Sequence, residues 1–515
     1  MVLAKGLRPL QVVLVILFVR ILSVFVVQTW YVPDEYWQTL EVAHKEVFGY
    51  GVLTWEWREG IRSYLYPSVV AALYSALKFT GLDYPEALTI LPRILQALLS
   101  TAADYSFYKW TGGRKWALFL VLTSWFWFYI ASRTLLQTVE TALVTIALHF
   151  VLETWYAESP RWIWVGAVCV FLRPTSAPLW AVLGAAGVLR SASSRLRLLV
   201  RTYVLIVGGA LVALDSYYYG RLVVTPWEFF KFNVLKDIAT FYGQHPWYWY
   251  FTHGLPAVLG INLFPVLWAI AKILRRPKEN TTGINRVEFL THDVTTHNFC
   301  CSAIPHKEFR FVAPLLPIFL YLAQDVIVPW SRKAKNWQLY LVAGALLGGN
   351  AVPATYFGVL HQRAALQVMP LLRDAVPNNS SSITFLMPCH STPLYSHLHV
   401  NVSCRFLACE PPLGRAGGAG GAGEAAESEA FFNNPQRWWR AEHSARRPPT
   451  LLVLFDRLRG RIEDVLAGYK LIHELPHTQI LYKTNSQFPQ GEVGEKVLVY
   501  RKVEGLPQPP ADEID

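Results

Sequence analysis

The chain has 515 residues, 53% of them hydrophobic and 14% aromatic, with only 16% charged and a formal net charge of +11. Its uncharged apolar runs reach bilayer-spanning length, which excludes a string of soluble domains, whose amphipathic stripes would be broken by charge every turn. The basic excess lies in short clusters between those runs and not along an aromatic-studded stripe, so it excludes nucleic acid as a partner and marks the cytosolic loops of a membrane protein.

The first apolar run, 10–29, is about 20 residues long and follows Lys5 and Arg8. It is too long for a signal-peptide core, no small-residue cleavage site follows it, and Trp30 and Tyr31 look like an interfacial belt. An uncleaved span entering from the cytosol is predicted, which puts the polar, aromatic loop 30–66 in the lumen. Further apolar segments fall at 67–82, 88–108, 116–131, 138–156, 162–189 (broken by Arg173-Pro174), 200–219, 253–274, 309–329 and 337–357. Basic clusters at Arg114-Lys115, 190–201, 275–278 and 332–335 belong on the cytosolic side. Counted from these, the C-terminal region is luminal and 67–82 has no crossing to make, so it is predicted as a luminal-side or re-entrant helix.

The same counting requires a rising span within 279–305, yet that segment carries Glu279, Arg286, Glu288 and Asp293 and has no apolar run. Charges at the bilayer centre cost about 2.5–3.5 kcal/mol each. The segment does not span; it reads as an anomalous polar stretch of the kind a wrong gene model introduces. From about 375 the apolar runs stop, and short pieces at 450–455 and 496–501 are predicted as strands of a mixed soluble domain. The Gly/Ala/Glu-rich 414–427 is expected to be a disordered insertion. The resulting division is a transmembrane module over 1–374 and a luminal C-terminal mixed α/β domain over 375–515. None of the six cysteines has metal-ligand spacing, so no metal is expected; Cys389, Cys404 and Cys409 allow one disulfide in an oxidising lumen, its pairing open.

Candidate chemistry begins just past the first span, in Val32-Pro33-Asp34-Glu35-Tyr36-Trp37-Gln38. Pro33 suits entry to a helix, and Asp34 and Glu35 then fall in its first turn, where acidic side chains favour the dipole. On spacing alone this is a helix N-terminus at the membrane surface. The functional alternative is an acid–base carboxylate above the bilayer, with Trp55, Glu56, Trp57 and Arg62 crowding the same loop as an acceptor-facing surface. A positioned base speeds attack by a sugar hydroxyl roughly a hundred- to ten-thousand-fold. A phosphate leaving group needs no proton but does need cations. His306-Lys307-Glu308-Phe309-Arg310 opens one span at the luminal side and His361-Gln362-Arg363 closes the next, although snorkelling at an interface explains any single one of these cations. Arg20, Arg93, Asp104, Glu140, Arg173 and Asp215 lie inside apolar segments, where charge is costly unless paired or facing a polar cavity. No nucleotide-binding fingerprint appears, which disfavours a sugar-nucleotide donor.

These residues resemble a known family. Val32-Pro33-Asp34-Glu35-Tyr36-Trp37-Gln38, Leu53-Thr54-Trp55-Glu56-Trp57, Arg173-Pro174-Thr175, Tyr242-Gly243-Gln244-His245-Pro246-Trp247, His306-Lys307-Glu308-Phe309-Arg310-Phe311, His361-Gln362-Arg363 and Met387-Pro388-Cys389-His390-Ser391-Thr392-Pro393 are similar, in order along nearly the whole chain, to glycosyltransferase family 22. The resemblance implies a multi-pass α-helical GT-C fold in the endoplasmic reticulum membrane and no cofactor. It also implies a dolichyl-phosphate-mannose donor and an inverting α-1,2 transfer that adds the third mannose to a glycosylphosphatidylinositol (GPI) precursor lipid. By the same likeness Asp34 is the candidate base with Glu35 beside it, and His306, Lys307, Glu308 and Arg310 lie near the donor phosphate. A lipid-linked oligosaccharide α-mannosyltransferase of the same fold is the nearest alternative. A multi-pass lipid or solute transporter, the alternative from another class, would show broken helices in paired halves, and only Arg173-Pro174 breaks a span.

Overall fold

The computed structural model describes residues 8–154, 161–181, 194–275, 302–376, 380–411, 427–444, 447–479 and 493–503. Most of the anomalous stretch (279–301) and nearly all of the expected insertion (414–426) lie outside the described residues.

Helix α1 (Pro9–Val26) is the predicted first span, with Pro9 at its first helical position, where no N–H is required. A helical stretch from Asp34 passes through a π turn (Tyr36–Leu40) into α2 (Glu41–Phe48), which Gly49 ends in the left-handed conformation at φ +82°. Then follow α3 (Leu65–Thr80), α4 (Pro85–Trp110), α5 (Lys115–Thr123), α6 (Trp125–Ile130), α7 (Leu136–Thr154), α8 (Arg161–Leu172) and α9 (Ser194–Tyr219). After the segment Tyr250–Gly254 and a short helix Leu255–Leu259 come α10 (Leu263–Leu274), α11 (Leu316–Ser331), α12 (Asn336–Thr355) and α13 (Ala364–Ala375). By length and hydropathy, Pro9–Val26, Tyr250–Leu274 and Phe309–Ser331 suffice to cross a membrane among the described residues; Leu136–Val151, Trp162–Leu172 and Val204–Tyr219 are shorter apolar helices.

The breaks in the spans have local causes. Arg173 is extended (φ −146°, ψ 101°) because the following Pro174 disfavours the helical region at the residue before it. The expected single segment 116–131 is two helices, hinged at Ser124. The Asn350 side chain from α12, fully buried, accepts the Trp125 N–H at 3.0 Å, satisfying a donor that hydrocarbon cannot. Gly260 turns the chain between Leu255–Leu259 and α10 at φ +53°, and a Cβ there would meet the Trp125 ring at 3.0 Å.

Charges inside the helices find polar partners on other segments. Arg20 on α1 reaches Asp104 on α4 at 2.5 Å, and Trp127 donates to the same carboxylate at 2.7 Å. Arg93 donates instead to the Val27 carbonyl at 2.7 Å, so it and Asp104 do not pair, as their spacing on one helix indicates. Asp215 accepts from Ser63 Oγ (3.0 Å), the Tyr64 N–H (2.8 Å) and Thr225 Oγ1 (2.8 Å), tying α9 to the loop before α3.

The C-terminal region contains a five-stranded mixed sheet in the order β2-β1-β3-β5-β4. Its strands are β1 (Ser382–Leu386), β2 (Ser403–Phe406), β3 (Leu451–Phe455), β4 (Tyr469–Pro476) and β5 (Lys496–Lys502); β1 lies parallel to β2 and β3, and β5 antiparallel to β3 and β4. Every residue of central β3 is buried, which is why it reads as a continuous apolar run. Leu451, Val453 and Phe455 face a core shared with Val368, Met369 and Leu372 of α13, while Leu452 and Leu454 face Phe431, Phe432 and Trp438 on the other side. Helix α3 contributes Val70, Tyr74 and Leu77 to the core it shares with the sheet.

This domain seats on α2. The Glu41 carboxylate accepts the Leu394 N–H at 2.7 Å, the Ser396 N–H at 3.2 Å and Ser396 Oγ at 2.5 Å. A Cys389–Cys409 disulfide fixes the pairing the sequence left open, and Cys404 is free. Around the seat, burial depresses the histidines: His44 and His397 to about 3, helped by nearby His399 and Arg93 respectively, and His390 and His477 to about 4. The unfolded chain takes up these protons near the ordinary value of 6.5 and the folded one only near 3–4. Their stabilisation is therefore complete above pH 6.5 and lost as pH falls towards 4. Limited proteolysis of detergent-solubilised protein is expected to release the sheet domain increasingly across that interval; an unchanged digestion pattern would contradict the assignment of neutral buried histidines.

Candidate active site

The loops at one end of the bundle converge under the sheet domain. The Gln28 N–H donates to the Gly358 carbonyl (2.8 Å) and the Trp30 N–H to the Gln362 carbonyl (3.2 Å), so the end of α1 meets the end of α12. The chain then enters the helix at Pro33, whose carbonyl accepts from the N–H groups of Tyr36 and Trp37, both at 3.0 Å. Asp34 and Glu35 occupy its first turn, as predicted.

Adjacent positions on a helix point about 100° apart, and here that separation gives the two carboxylates different partners. Glu35 turns inward, 2% exposed, and pairs with Arg133 at 2.8 Å. Arg133 is buried too and also donates to the Thr29 carbonyl (2.7 Å) and the Tyr129 carbonyl (3.0 Å). Asp34 turns outward, its side chain 21% exposed, with Oδ2 at 2.5 Å from Arg310 Nη1. That contact lies off the line of a directed hydrogen bond, because Arg310 gives its fork to Glu308, Nε at 2.7 Å and Nη2 at 2.5 Å.

The His306–Arg310 motif is built around this fork. His306 meets Glu308 through Nε2 (3.0 Å) and the Gly243 carbonyl through Nδ1 (3.3 Å). Lys307 Nζ donates to the carbonyls of His245 (3.1 Å) and Ile304 (2.5 Å), and the His245 N–H donates to the Pro305 carbonyl at 3.0 Å. The aromatic stretch after Gly243 thus packs against the motif. Burial alone would raise the Glu308 carboxyl, but the Arg310 guanidinium and the His306 hydrogen bond outweigh it and hold the group well below the usual carboxylate range.

Two more arginines stand within electrostatic reach of Asp34. Arg62 is gripped by Glu56 through Nε (3.0 Å) and Nη2 (2.5 Å), with Gln38 donating to the other Glu56 oxygen at 3.1 Å. Arg173, at the break after α8, lies 3.6 Å from Glu140 with its guanidinium over the Phe311 ring, and its buried Nη1 has no hydrogen-bond partner among the described residues. Asp34 therefore contacts Arg310 and lies within electrostatic reach of Arg62 and Arg173, each of the three arginines paired with its own glutamate. In the sequence Arg173 marks the break in a span, belongs to the Arg173-Pro174-Thr175 motif and, like Glu140, is a charge inside an apolar segment, but nothing there places either residue at the site. Their signal was the cost of charge in an apolar segment.

Other candidates are placed differently. Trp55 and Trp57 are 5% and 2% exposed; Trp55 Nε1 donates to Tyr242 Oη at 2.7 Å, and Trp57 packs on Tyr64 with Nε1 towards the Trp37 carbonyl. Their faces are occupied by protein, which leaves Glu56 and Arg62 as the part of that loop nearest Asp34. His361 meets Thr478 Oγ1 at 2.9 Å and packs against Tyr356 and Phe357, at the seam with the sheet domain. Arg363 donates to Gln367 at 2.8 and 3.2 Å when that amide turns its oxygen towards it. A groove of about 830 Å³ is lined by Glu46, Ser75, Lys78 and Tyr218 among others, none of which belongs to the arginine cluster. Cys389, His390 and Cys409 lie close enough together for a metal, but their two sulfurs are joined in the disulfide.

Residues 11–399 match the Alg9-like mannosyltransferase family. Over 492 residues the chain is 46% identical to GPI mannosyltransferase 3 of Drosophila melanogaster, covering 93% of this chain and 86% of that relative. Over 510 residues it is 36% identical to GPI alpha-1,2-mannosyltransferase 3 of Homo sapiens, covering 94% and 86%. Among solved structures, ArnT from Cupriavidus metallidurans bound to undecaprenyl phosphate superposes with a TM-score of 0.58 over 97% of this chain and 99% of that one. At 14% identity that likeness speaks for the fold alone, a GT-C membrane fold as expected. With a family match across 11–399 and relatives this similar along nearly its whole length, the chain belongs to the Alg9-like mannosyltransferase family.

Proposed function

We propose that this chain transfers mannose from a dolichyl-phosphate donor to a GPI precursor in the endoplasmic reticulum membrane, adding the third mannose in α-1,2 linkage with Asp34 facing the lumen. The observation that carries the reading is one accessible carboxylate in contact with Arg310 and within electrostatic reach of Arg62 and Arg173, each guanidinium paired with a separate glutamate. The acceptor's 2-hydroxyl loses its proton to Asp34 as its oxygen bonds to mannose C1. The C1–O bond to phosphate breaks on the opposite face, inverting the centre. The electron pair leaves on the dolichyl phosphate, whose charge Arg310, Arg62 and Arg173 receive by charge-assisted hydrogen bonds. Arg310 already contacts Asp34, so the same guanidinium touches both base and leaving group and orients one to the other.

The test uses cells lacking the third GPI mannose. Expression of the full chain is expected to convert their two-mannose precursor to the three-mannose form, with radiolabel from dolichyl-phosphate mannose entering the new product. Persistence of the two-mannose precursor at normal protein levels, or transfer onto lipid-linked oligosaccharide instead, would overturn the reading.

A further inference from the structure

The sheet domain delivers the loop after β1 to the helical stretch that carries Asp34, where Trp37, His390, Ser391 and Thr392, with apolar Met387 and Leu394 among others, line a small recess. Its polar and aromatic members, Trp37, His390, Ser391 and Thr392, are side chains that can meet sugar faces and hydroxyls.

His390 is held there from several directions. Its ring meets Trp37 edge-on at 4.4 Å and lies 5.2 Å from Phe406. Trp37 stands three residues after Asp34, and its Nε1 donates to the Thr392 carbonyl at 3.0 Å. The His390 backbone sits at φ +57°, a conformation non-glycine residues rarely adopt and one that persists where surrounding structure enforces it, often at functional sites. Neighbouring Cys389 is bonded to Cys409, whose Sγ lies 4.0 Å from His390 Nδ1, leaving Nε2 as the nitrogen for another partner. Burial lowers the ring's proton affinity and the Asp34 charge opposes it, which puts the two groups within electrostatic reach.

We propose that His390 is an acceptor-binding residue: its Nε2 accepts a hydrogen bond from a hydroxyl of the acceptor's terminal sugar and so presents the adjacent 2-hydroxyl to Asp34. This rests on Asp34 being the base. Burial, which lowers the ring to about 4 against the opposing effect of Asp34, keeps it neutral at physiological pH. A neutral ring does not compete with the arginines for phosphate. The C-terminal domain thereby supplies part of the specificity for the glycan, while the membrane module supplies the contacts to the donor.

The experiment compares full-length wild type, His390→Gln and His390→Ala in detergent, with dolichyl-phosphate mannose as donor and two-mannose GPI precursor as acceptor. Loss of one neutral hydrogen bond is expected to raise the acceptor KM roughly tenfold. The donor KM should stay unchanged, and glutamine should restore part of the acceptor affinity. A raised donor KM, or a lower kcat with both KM values unchanged, overturns the proposal. So does a folded glutamine variant with wild-type acceptor KM, or misfolding of both variants, which would make the residue structural. Asp34→Asn is run alongside: if it stays active, the base assignment falls, whereas an inactive Asp34→Asn with an unmoved acceptor KM at His390 sinks only this inference.

Discussion

Asp34→Asn is expected to lower kcat by about 10²- to 10⁴-fold while leaving the folded protein intact. The amide is isosteric with the carboxylate but takes no proton from the acceptor hydroxyl, so the effect falls on the chemical step. The fold tolerates the change because Asp34 is partly open and its partner does not depend on it: Arg310 keeps both bonds to Glu308. Without that fork, neutralising Asp34 would strand a buried guanidinium and confuse loss of base with loss of structure. The check is single-turnover transfer of labelled mannose, with the thermal midpoint and size-exclusion profile measured on the same preparation. Retention of more than roughly a tenth of wild-type turnover would remove Asp34 as the base.

Glu35, one residue on, is expected to respond in the opposite way. Glu35→Ala leaves Arg133 buried without its counter-ion, and breaking a buried pair from one side costs roughly 3–5 kcal/mol. The loss should appear as a lower thermal midpoint and less folded protein, with near-normal kcat in the surviving fraction. Adding Arg133→Met removes the stranded charge and should recover part of the stability. Recovery stays incomplete because the Thr29 and Tyr129 carbonyls lose their donor as well. A Glu35→Ala protein of wild-type stability but abolished kcat would reverse the roles assigned to the two carboxylates.

What the sequence determined by itself is local. Apolar run length marked α1, α4, α7, α9 and α12 within a few residues, because the hydrocarbon thickness sets how many residues a helix needs. Pro174 announced its break through the constraint a proline places on the residue before it. The strands β3 and β5 were visible as apolar runs bounded by polar residues, and Pro33 announced the helix that carries Asp34. Which partner each charge takes was decided only by the tertiary structure. Arg20 finds Asp104, Glu35 finds Arg133 and Arg173 finds Glu140 across segments far apart in the chain. Glu41 is met by Leu394 and Ser396 from the sheet domain. Helical periodicity tells which residues share a face, not what that face meets. Asp34 and Glu35 look like a pair in the sequence because they adjoin, yet one helical step turns the first to an open arginine cluster and the second into the core. His390 likewise comes to Trp37, three residues after Asp34, only because the C-terminal sheet seats on α2, a contact between segments far apart in the chain that no short-range pattern encodes.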